Sequence, residues 1–550
     1  MQSTYVIGLD FGTDSVRALV VDALTGEEMG MAVSPFARWA AGLYCSAAKA
    51  QFRQHPLDYL ESMERGLRAV LTSVSQQVRD NIVGISVDAT GSTPVAVDEY
   101  GTPLSLLPEF SDNPNAMFIL WKDHTANAEA AEINELAKRW ETDFTQYVGG
   151  SYSSEWFWSK ILHIIRKDNA VSQRAFSWVE QCDWLSAVLT GNTNPLEIKR
   201  SRCAAGHKAM WHQDFGGLPT ANFLQQLDGR LAQLRNRLYQ DTYTADHGMG
   251  KISLQWAEKL GLSPAVKVGV GAIDAHMGAV GACIAPYSLV KVMGTSTCDM
   301  LVAPTDKHGG QFVRGICGQV NGSIIPDMLG FEAGQSAFGD LYQWFANLLS
   351  FPLTNIYPEK LSAEEQNGLS GRILSELNKE AALVPLTVDD EIALDWINGR
   401  RTPDVDLNLT AVLSGLHLGS SPARIFKALV EATAYGSRAI IERFEKEGIP
   451  VQEVIALGGI SKKSPYVMQT LANVLNRPIK TVRSEQACAL GAAMYAAVVS
   501  GIHADISSAQ RAMSSGFEQT YLPEQDKVAI YETLYPRYLI LGDKFYSHKL

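Results

Sequence analysis

Carboxylates, hydroxyls and glycine-freed backbone are concentrated in a few short stretches of this sequence. Asp10-Phe-Gly-Thr-Asp-Ser15 is one of them. Gly12 has no Cβ, so the backbone there can approach a phosphate, and Thr13 and Ser15 add hydroxyl donors. Asp10 ends an apolar run and could hold a magnesium ion through water, because hard cations prefer oxygen ligands. An ordinary hairpin turn uses the same residue types, and both readings stand. Gly294-Thr-Ser-Thr297 carries the same chemistry more strongly. Thr295, Ser296 and Thr297 place hydroxyls and a run of N–H groups after a flexible glycine, which suits terminal phosphoryl oxygens; a polar hairpin is again the alternative. Gly458-Gly459 leaves bare backbone before a helix, where a nucleoside could lie, although close strand–helix packing also demands glycine.

Asp274 follows the strand-like run from Val266 and precedes small residues. A carboxylate in such company is costly to bury without a task or partner. A general base for a substrate hydroxyl fits, and a helix N-cap is the competing role. Its ordinary pKa makes it too weak to strip an alcohol outright, so it would orient the hydroxyl and take the proton late. His276 reads as a structural neighbour, because no metal-binding spacing accompanies it. Ser92 and Thr93 in Gly91-Ser-Thr-Pro94, His207-Lys208 and Glu332 are further polar candidates that suit a surface or a cap equally well. Asp183-Trp184, Trp156 with Trp158, and Asp395-Trp396 read as packed core. Two familiar motifs are excluded. Asp10-Phe-Gly12 imitates the metal-binding tripeptide of protein kinases but lies far too early, and no HRD follows. Gly250-Lys251 lacks the upstream glycine and the following Ser/Thr of a Walker A loop.

The elements that must position these groups follow from apolar spacing. Short β-type runs alternate with helical patterns, so the fold class is α/β or α+β. Val6–Asp10, a polar turn and Ser15–Asp22 form a strand–turn–strand unit that recurs as Leu289–Met293, Gly294–Thr297 and Cys298–Val302. Two similar turns in two halves imply two related lobes closing on one ligand. Ser464-Pro465 and Ser421-Pro422 open helices, and Ser154 is expected to cap a third that carries Trp158, Ile161, Leu162 and Ile165. Val454–Leu457 reads as a buried strand, and residues 505–550 as terminal helix.

Composition sets the outer bounds. The chain has 550 residues, 46% hydrophobic and 19% charged, with net charge −12. That length and composition give a large core and exclude a disordered chain. The negative charge argues against nucleic acid as a partner and gives no support for an anionic membrane surface. Seven cysteines, none in CxxC, fit a reducing compartment. The first residues lack a signal peptide's basic region, and the apolar stretch at Ala487–Ile502 is too short to span a bilayer comfortably. The expectation is a cytoplasmic protein.

In order along the chain, these segments resemble the FGGY carbohydrate kinases. The strings are GLDFGTDSVRALVVD, VGISVDATGSTPVAVDEYG, LWKDHTA, GAIDAH, KVMGTSTCDM, DWINGRRTP, ALGGISKKSPYVMQTLANVLNRP and QACALGAAMYAAV, with the Ser421 helix between DWINGRRTP and ALGGISKKSPYVMQTLANVLNRP. The similarity runs from about residue 5 to about residue 505. DATGSTP, YSSEWFWSKILH, AGHKAMWH, EAGQSAFGD and LDWINGRRTP narrow it to the bacterial branch acting on L-ribulose. Arg424 and Ile425 depart from the family signature, at positions without a chemical role.

The resemblance implies two ribonuclease-H-like lobes of the actin/hexokinase type, residues 1–280 and 281–550, with nucleotide and sugar in the cleft between them. It implies ATP and Mg²⁺, phosphorylation of L-ribulose at O5 within L-arabinose catabolism, and a homodimer as a possible assembly. Another ketopentose or a pentitol is the alternative substrate. Asp10 would hold Mg²⁺ through water. Gly12, Thr13, Ser15 and Gly294–Thr297 would surround the phosphates, and Gly458, Gly459 and Lys463 the nucleoside. Asp274 would be the base, and Gly91, Ser92, Thr93, Lys208 and Glu332 would hold the sugar. A peptide-binding heat-shock-type ATPase would need a further module after the lobes, and a non-catalytic sensor would be expected to lack Asp274 or the Thr/Ser turn.

Overall fold

The first apolar runs become strands β1 (Tyr5–Phe11) and β2 (Ser15–Asp22), joined as an antiparallel hairpin, with β3 (Glu28–Pro35) beside β2. The computed structural model describes residues 3–357 and 361–547. Strand β4 (Ile82–Ala89) runs parallel to β1 on its other side. Beyond it lie β5 (Gly248–Lys251) and β6 (Lys267–Gly269), in the order β5-β6-β4-β1-β2-β3, and β7 (Ala272–Ile273) also pairs with β4. Every residue of β1 is buried, as its apolar run from Tyr5 to Leu9 requires of a sheet covered on both faces.

The second half repeats the plan. Strands β8 (Ser288–Met293) and β9 (Thr297–Pro304) form the hairpin, and β10 (Gly318–Asn321) and β11 (Met328–Ala333) extend it beyond β9. Strands β12 (Glu453–Leu457) and β13 (Ile479–Val482) run parallel on the other side, and β14 (Phe517–Tyr521) closes that edge. The order is β10-β11-β9-β8-β12-β13-β14. Three antiparallel strands followed by parallel ones, in both halves, is the order expected of ribonuclease-H-like lobes.

The cores do not follow the chain division at 280/281. Helix Ala487–Ser500 lies against β1, β4 and helix Asp274–Gly281, and residues from Ala487 to Met513 belong to the core of the first sheet. This helix is apolar all round because it is covered all round. Its alanines and glycines permit backbone-to-backbone approach: a Cβ on Gly8 would lie 1.8 Å from the Ala489 carbonyl oxygen. Residues 505–550 also differ from a plain terminal helix. Helices Ile506–Met513 and Gln525–Ser547 flank strand β14.

Ser464 caps helix Pro465–Leu475 through the Val467 N–H, and Ser421 caps Pro422–Lys446 through the Arg424 N–H. Such caps contribute about 1 kcal/mol each. Ser154 does not cap helix Phe157–Lys167; its hydroxyl meets His124 Nδ1 at 3.2 Å. All seven cysteines are free. Among the described residues no helix is long and apolar enough to cross a membrane.

Candidate active site

Three carboxylates stand side by side at the ends of adjacent strands. Asp10 on β1 pairs in register with Asp88 on β4, and Asp88 with Ala272 on β7, two residues before Asp274. Parallel pairing aligns these strand ends, and the side chains of Asp10 and Asp88 leave the same face. Asp10 accepts from Arg17 Nη1 at 3.0 Å across the hairpin. Asp88 is fully buried, and neither of its oxygens receives a hydrogen bond. Burial, then the charges of Asp10 and Asp274, push its carboxyl well above the usual range. Asp274 is the first residue of helix Asp274–Gly281 rather than its N-cap, which is Ile273. Its Oδ1 accepts from the Ala275 N–H at 2.6 Å. Burial, then the Asp10 charge, raises it to about 7, against the pull of that N–H and of Lys208. Asp274 is therefore a stronger base than an ordinary carboxylate, though still far too weak to strip an alcohol outright.

Asp88 was missed from the sequence because it sits inside a strand-like apolar run. Its signal was there, a lone charge one residue before the end of that run. Two carboxylates set against each other, with Asp88 pushed up by the Asp10 charge, fit a hard divalent cation, and Asp10 and Asp88 would hold it.

The glycine-rich positions gather on the second sheet. Gly294 donates its N–H to the Ser296 carbonyl at 3.0 Å, and Thr295 and Gly294 carbonyls accept from Phe338, Gly339 and Asp340. Helix Gly339–Phe351 thus starts against the Gly294 turn. Gly458, at φ +100, has its Cα so close to Met293 that a Cβ would lie 2.4 Å from that carbonyl oxygen. Gly459 faces open space, and Lys463 is exposed at the end of the short helix that follows. Gly339 belongs with this wall and was not singled out, although EAGQSAFGD contained it. Gly278, one turn along from Asp274, lies near Leu457, so the helix bearing Asp274 leads to the Gly458 turn.

Not every hydroxyl in these turns is available. Thr295 is exposed and Ser296 partly so. Thr297 is buried, and its Oγ1 accepts from the Gln335 N–H at 3.0 Å and from Lys291 Nζ at 3.3 Å. Lys291 in turn grips Asp299 at 2.8 and 3.0 Å beneath the turn. In the first hairpin, Thr13 is fixed by Gln54, which donates to its carbonyl, and by the Trp121 indole, which donates to its Oγ1. Gly12 donates to the Ser15 carbonyl, and Ser15 donates its hydroxyl to Asp14 at 2.8 Å.

The sugar-side candidates come from both halves. Lys208, at the end of helix Arg202–Lys208, donates to both oxygens of Glu332 on β11, at 2.8 and 2.9 Å. Burial opposes both charges. Lys208 nevertheless holds Glu332 down at about 2, and Glu332 raises Lys208. His276 lies behind them with its Nε2 3.8 Å from Glu332, and His207 Nδ1 is 3.5 Å from it. The three could group around a metal, but both Glu332 oxygens already accept hydrogen bonds from an ammonium, so a second cation is disfavoured. Burial lowers His276 to about 4. Trp156 is more than core: the Lys208 ammonium sits 5.3 Å from its ring centre.

Ser92 and Thr93 turn inward. Both are fully buried; Ser92 Oγ donates to Glu180, and the Thr93 N–H donates to the same carboxylate at 2.8 Å. Buried Lys160 donates to the Ser92 carbonyl at 2.7 Å. Of Gly91–Thr93 only Gly91 retains exposure, and the two buried side chains shape the loop. Asp183 and Asp395 are satisfied core, accepting from the Ser201 N–H and from Gln335 and Tyr538.

Comparison with known proteins agrees in both halves. The FGGY family of carbohydrate kinases, N-terminal domain, matches residues 5–281, and its C-terminal domain matches residues 289–500. A ribulokinase of Vibrio parahaemolyticus is 49% identical over 544 residues, covering 98% of this chain and 95% of that protein. A ribulokinase of Halalkalibacterium halodurans is 37% identical over 99% of this chain and 95% of its own. Among solved structures, a xylulose kinase from Rhodospirillum rubrum has a TM-score of 0.77 at 20% identity, over 99% of both chains. A second, described as a xyloylose kinase, from Brucella ovis, has 0.78 at 18%, over 98% of this chain and 99% of that one. At those identities the structures speak for the fold alone.

Proposed function

The chain belongs to the FGGY family of carbohydrate kinases, and on that premise we propose that it phosphorylates L-ribulose: ATP + L-ribulose → ADP + L-ribulose 5-phosphate. The observation that carries the substrate is the 49% identity to a ribulokinase across 98% of the chain. The reaction would serve L-arabinose breakdown in the cytoplasm, in an enzyme of two lobes whose chain divides near residue 280 and returns at 487–513 to the first core, with a homodimer as a possible assembly.

ATP would lie along the glycine wall. Gly458 and Gly459 leave room beside the nucleoside, with Lys463 at the rim. Thr295, Ser296 and Thr13 would donate to the phosphates, while Gly294 and Gly12, whose N–H groups close their own turns, leave room for the approach. Thr297 and Ser15, whose hydroxyls have partners, act by holding their turns in shape. Lys208 and Glu332 would hold the sugar, with the Gly91 loop positioned by Glu180 and Lys160. Asp274 faces the terminal hydroxyl. O5 forms its bond to the γ-phosphorus as the bond to the β-phosphate oxygen breaks, ADP leaves, and the O5 proton passes to Asp274. Phosphoryl transfer depends chiefly on positioning and charge stabilisation, which a pre-formed turn of N–H groups supplies. A magnesium ion held by Asp10 and Asp88 would neutralise phosphate charge when bound.

A coupled ADP-release assay tests this reading. L-ribulose, D-ribulose, L- and D-xylulose, ribitol and glycerol are run with Mg-ATP. The highest kcat/KM is expected for L-ribulose. A higher value for another sugar moves the substrate, and no sugar-dependent turnover in folded, ATP-binding protein refutes the kinase reading.

A further inference from the structure

Asp395-Trp-Ile-Asn-Gly-Arg-Arg-Thr-Pro403 stands out in the sequence, and the reaction as derived gives it no part. Its two arginines are placed differently. Arg400 donates to the Asp404 carbonyl and lies over the Trp396 ring. Arg401 reaches across to Glu155 of the first lobe, stopping at 4.0 Å, too far for a direct hydrogen bond. Its side chain is 27% exposed and donates no hydrogen bond to any described residue. A guanidinium carries five donors, and leaving them unmatched in a partly buried wall is costly unless a ligand or water takes them.

The surroundings tie Arg401 to the sugar site. The adjacent Thr402 sets its Oγ1 3.4 Å from Cys317 Sγ, and the Cys317 N–H donates to the Glu332 carbonyl at 2.8 Å. Glu332 grips Lys208, whose ammonium lies over Trp156, the neighbour of Glu155. The contacts therefore run in a circle through both lobes. Asp274 feels Lys208 and Glu332, whereas Arg401 feels Glu155 and Glu332. Arg401 thus approaches the Lys208–Glu332 pair through Thr402 and Cys317, next to the start of β10, and not through the helix that carries Asp274.

We propose that Arg401 is a further sugar-binding residue, donating to the oxygens at the carbonyl end of a 2-ketopentose while Asp274 faces the hydroxyl that is phosphorylated, with Glu155 accepting from a neighbouring hydroxyl. This rests on the ribulokinase reading. For transfer to O5 the remote end is the C1 hydroxyl and C2 carbonyl. A carbonyl oxygen only accepts and a guanidinium only donates, so the two are matched. Reduction to a pentitol replaces that acceptor with a hydroxyl whose own proton then needs a place.

The test compares wild type, R401Q, R401K and E155Q with L-ribulose and with ribitol at saturating ATP, and measures the KM for ATP separately. R401Q is expected to raise the KM for L-ribulose about ten- to hundredfold, the scale of a lost charged hydrogen bond. The KM for ATP should stay within about twofold. The L-ribulose:ribitol ratio of kcat/KM should fall, and R401K, which keeps the charge but not the fork, should lie between wild type and R401Q. E155Q, on the other lobe, should weaken both sugars alike. An unchanged KM for L-ribulose in R401Q beside an active wild type overturns the proposal. A parallel rise in the sugar and ATP KM values also overturns it, because that marks a structural role. A wild type that does not turn over L-ribulose removes the underlying reading, and this proposal falls with it.

Discussion

The two sheets share one plan and end in opposite chemistry. In the first hairpin, Asp10 stands opposite Arg17, with Asp88 beside it on the parallel strand. In the second hairpin the corresponding register holds Val292 opposite Cys298, with Leu457 on the parallel strand. One set of strand ends thus collects carboxylates and the other apolar side chains that lead into glycine. The polar groups of the second sheet are sunk beneath its turn, where Lys291 and Asp299 neutralise each other. The lesson is that topology supplies two equivalent platforms, and side chains divide the work. The charged platform suits a cation and an acidic proton transfer; the uncharged one suits close backbone approach to phosphate and nucleoside. Asp88 shows what this division costs, because a buried carboxylate without a donor is destabilising unless a ligand completes it.

Substitutions on the two platforms should therefore have different signatures. Asp274→Asn is expected to lower kcat about a hundredfold to ten-thousandfold while the protein melts no lower than wild type, measured by steady-state kinetics and calorimetry. Near-normal turnover would take the base out of the acidic platform. Asp299→Asn, under the other turn, should do the reverse. It strands a buried ammonium and should cost about 3–5 kcal/mol of stability in denaturant titration, with no shift in magnesium requirement. Asp88→Asn should raise the magnesium concentration for half-maximal rate about ten- to hundredfold, the scale for losing a group that orients a metal site. An unchanged magnesium dependence would leave Asp88 without the role given to it.

The smallest effect concerns the seam between the platforms. His276 is buried beside His207, Glu332 and Lys208, and burial lowers it to about 4. The unfolded chain binds its proton near the ordinary histidine value, above the folded one. The folded form therefore loses stability as pH falls through that interval, by about 1 kcal/mol per pH unit. Melting temperatures recorded from pH 7 to 4 should show this slope, and His276→Asn should flatten it.

Much of this was legible in the residues. The strand–turn–strand echo revealed two lobes because apolar runs broken by Gly and Thr are local signals. Asp10, Asp274, Gly294 and Gly458 stood out because their types are unusual at strand and helix ends. Other features depended on partners far along the chain. Lys208 and Glu332 each read as a surface or capping residue until folding brought them together. Ser92 and Thr93, which the resemblance alone set beside the sugar, spend a side chain and backbone groups on Glu180 and Lys160.

Sequence alone determined the two lobes and the turns that break their strands, and it singled out Asp274 as the candidate base, because each is written in a few adjacent residues. Tertiary structure alone decided that Asp88 joins Asp10 and Asp274, that the helix at 487–500 belongs to the first core, and that Asp274 is raised to about 7. These depend on strand register, burial and the charges of neighbours, quantities that exist only once distant segments share one volume.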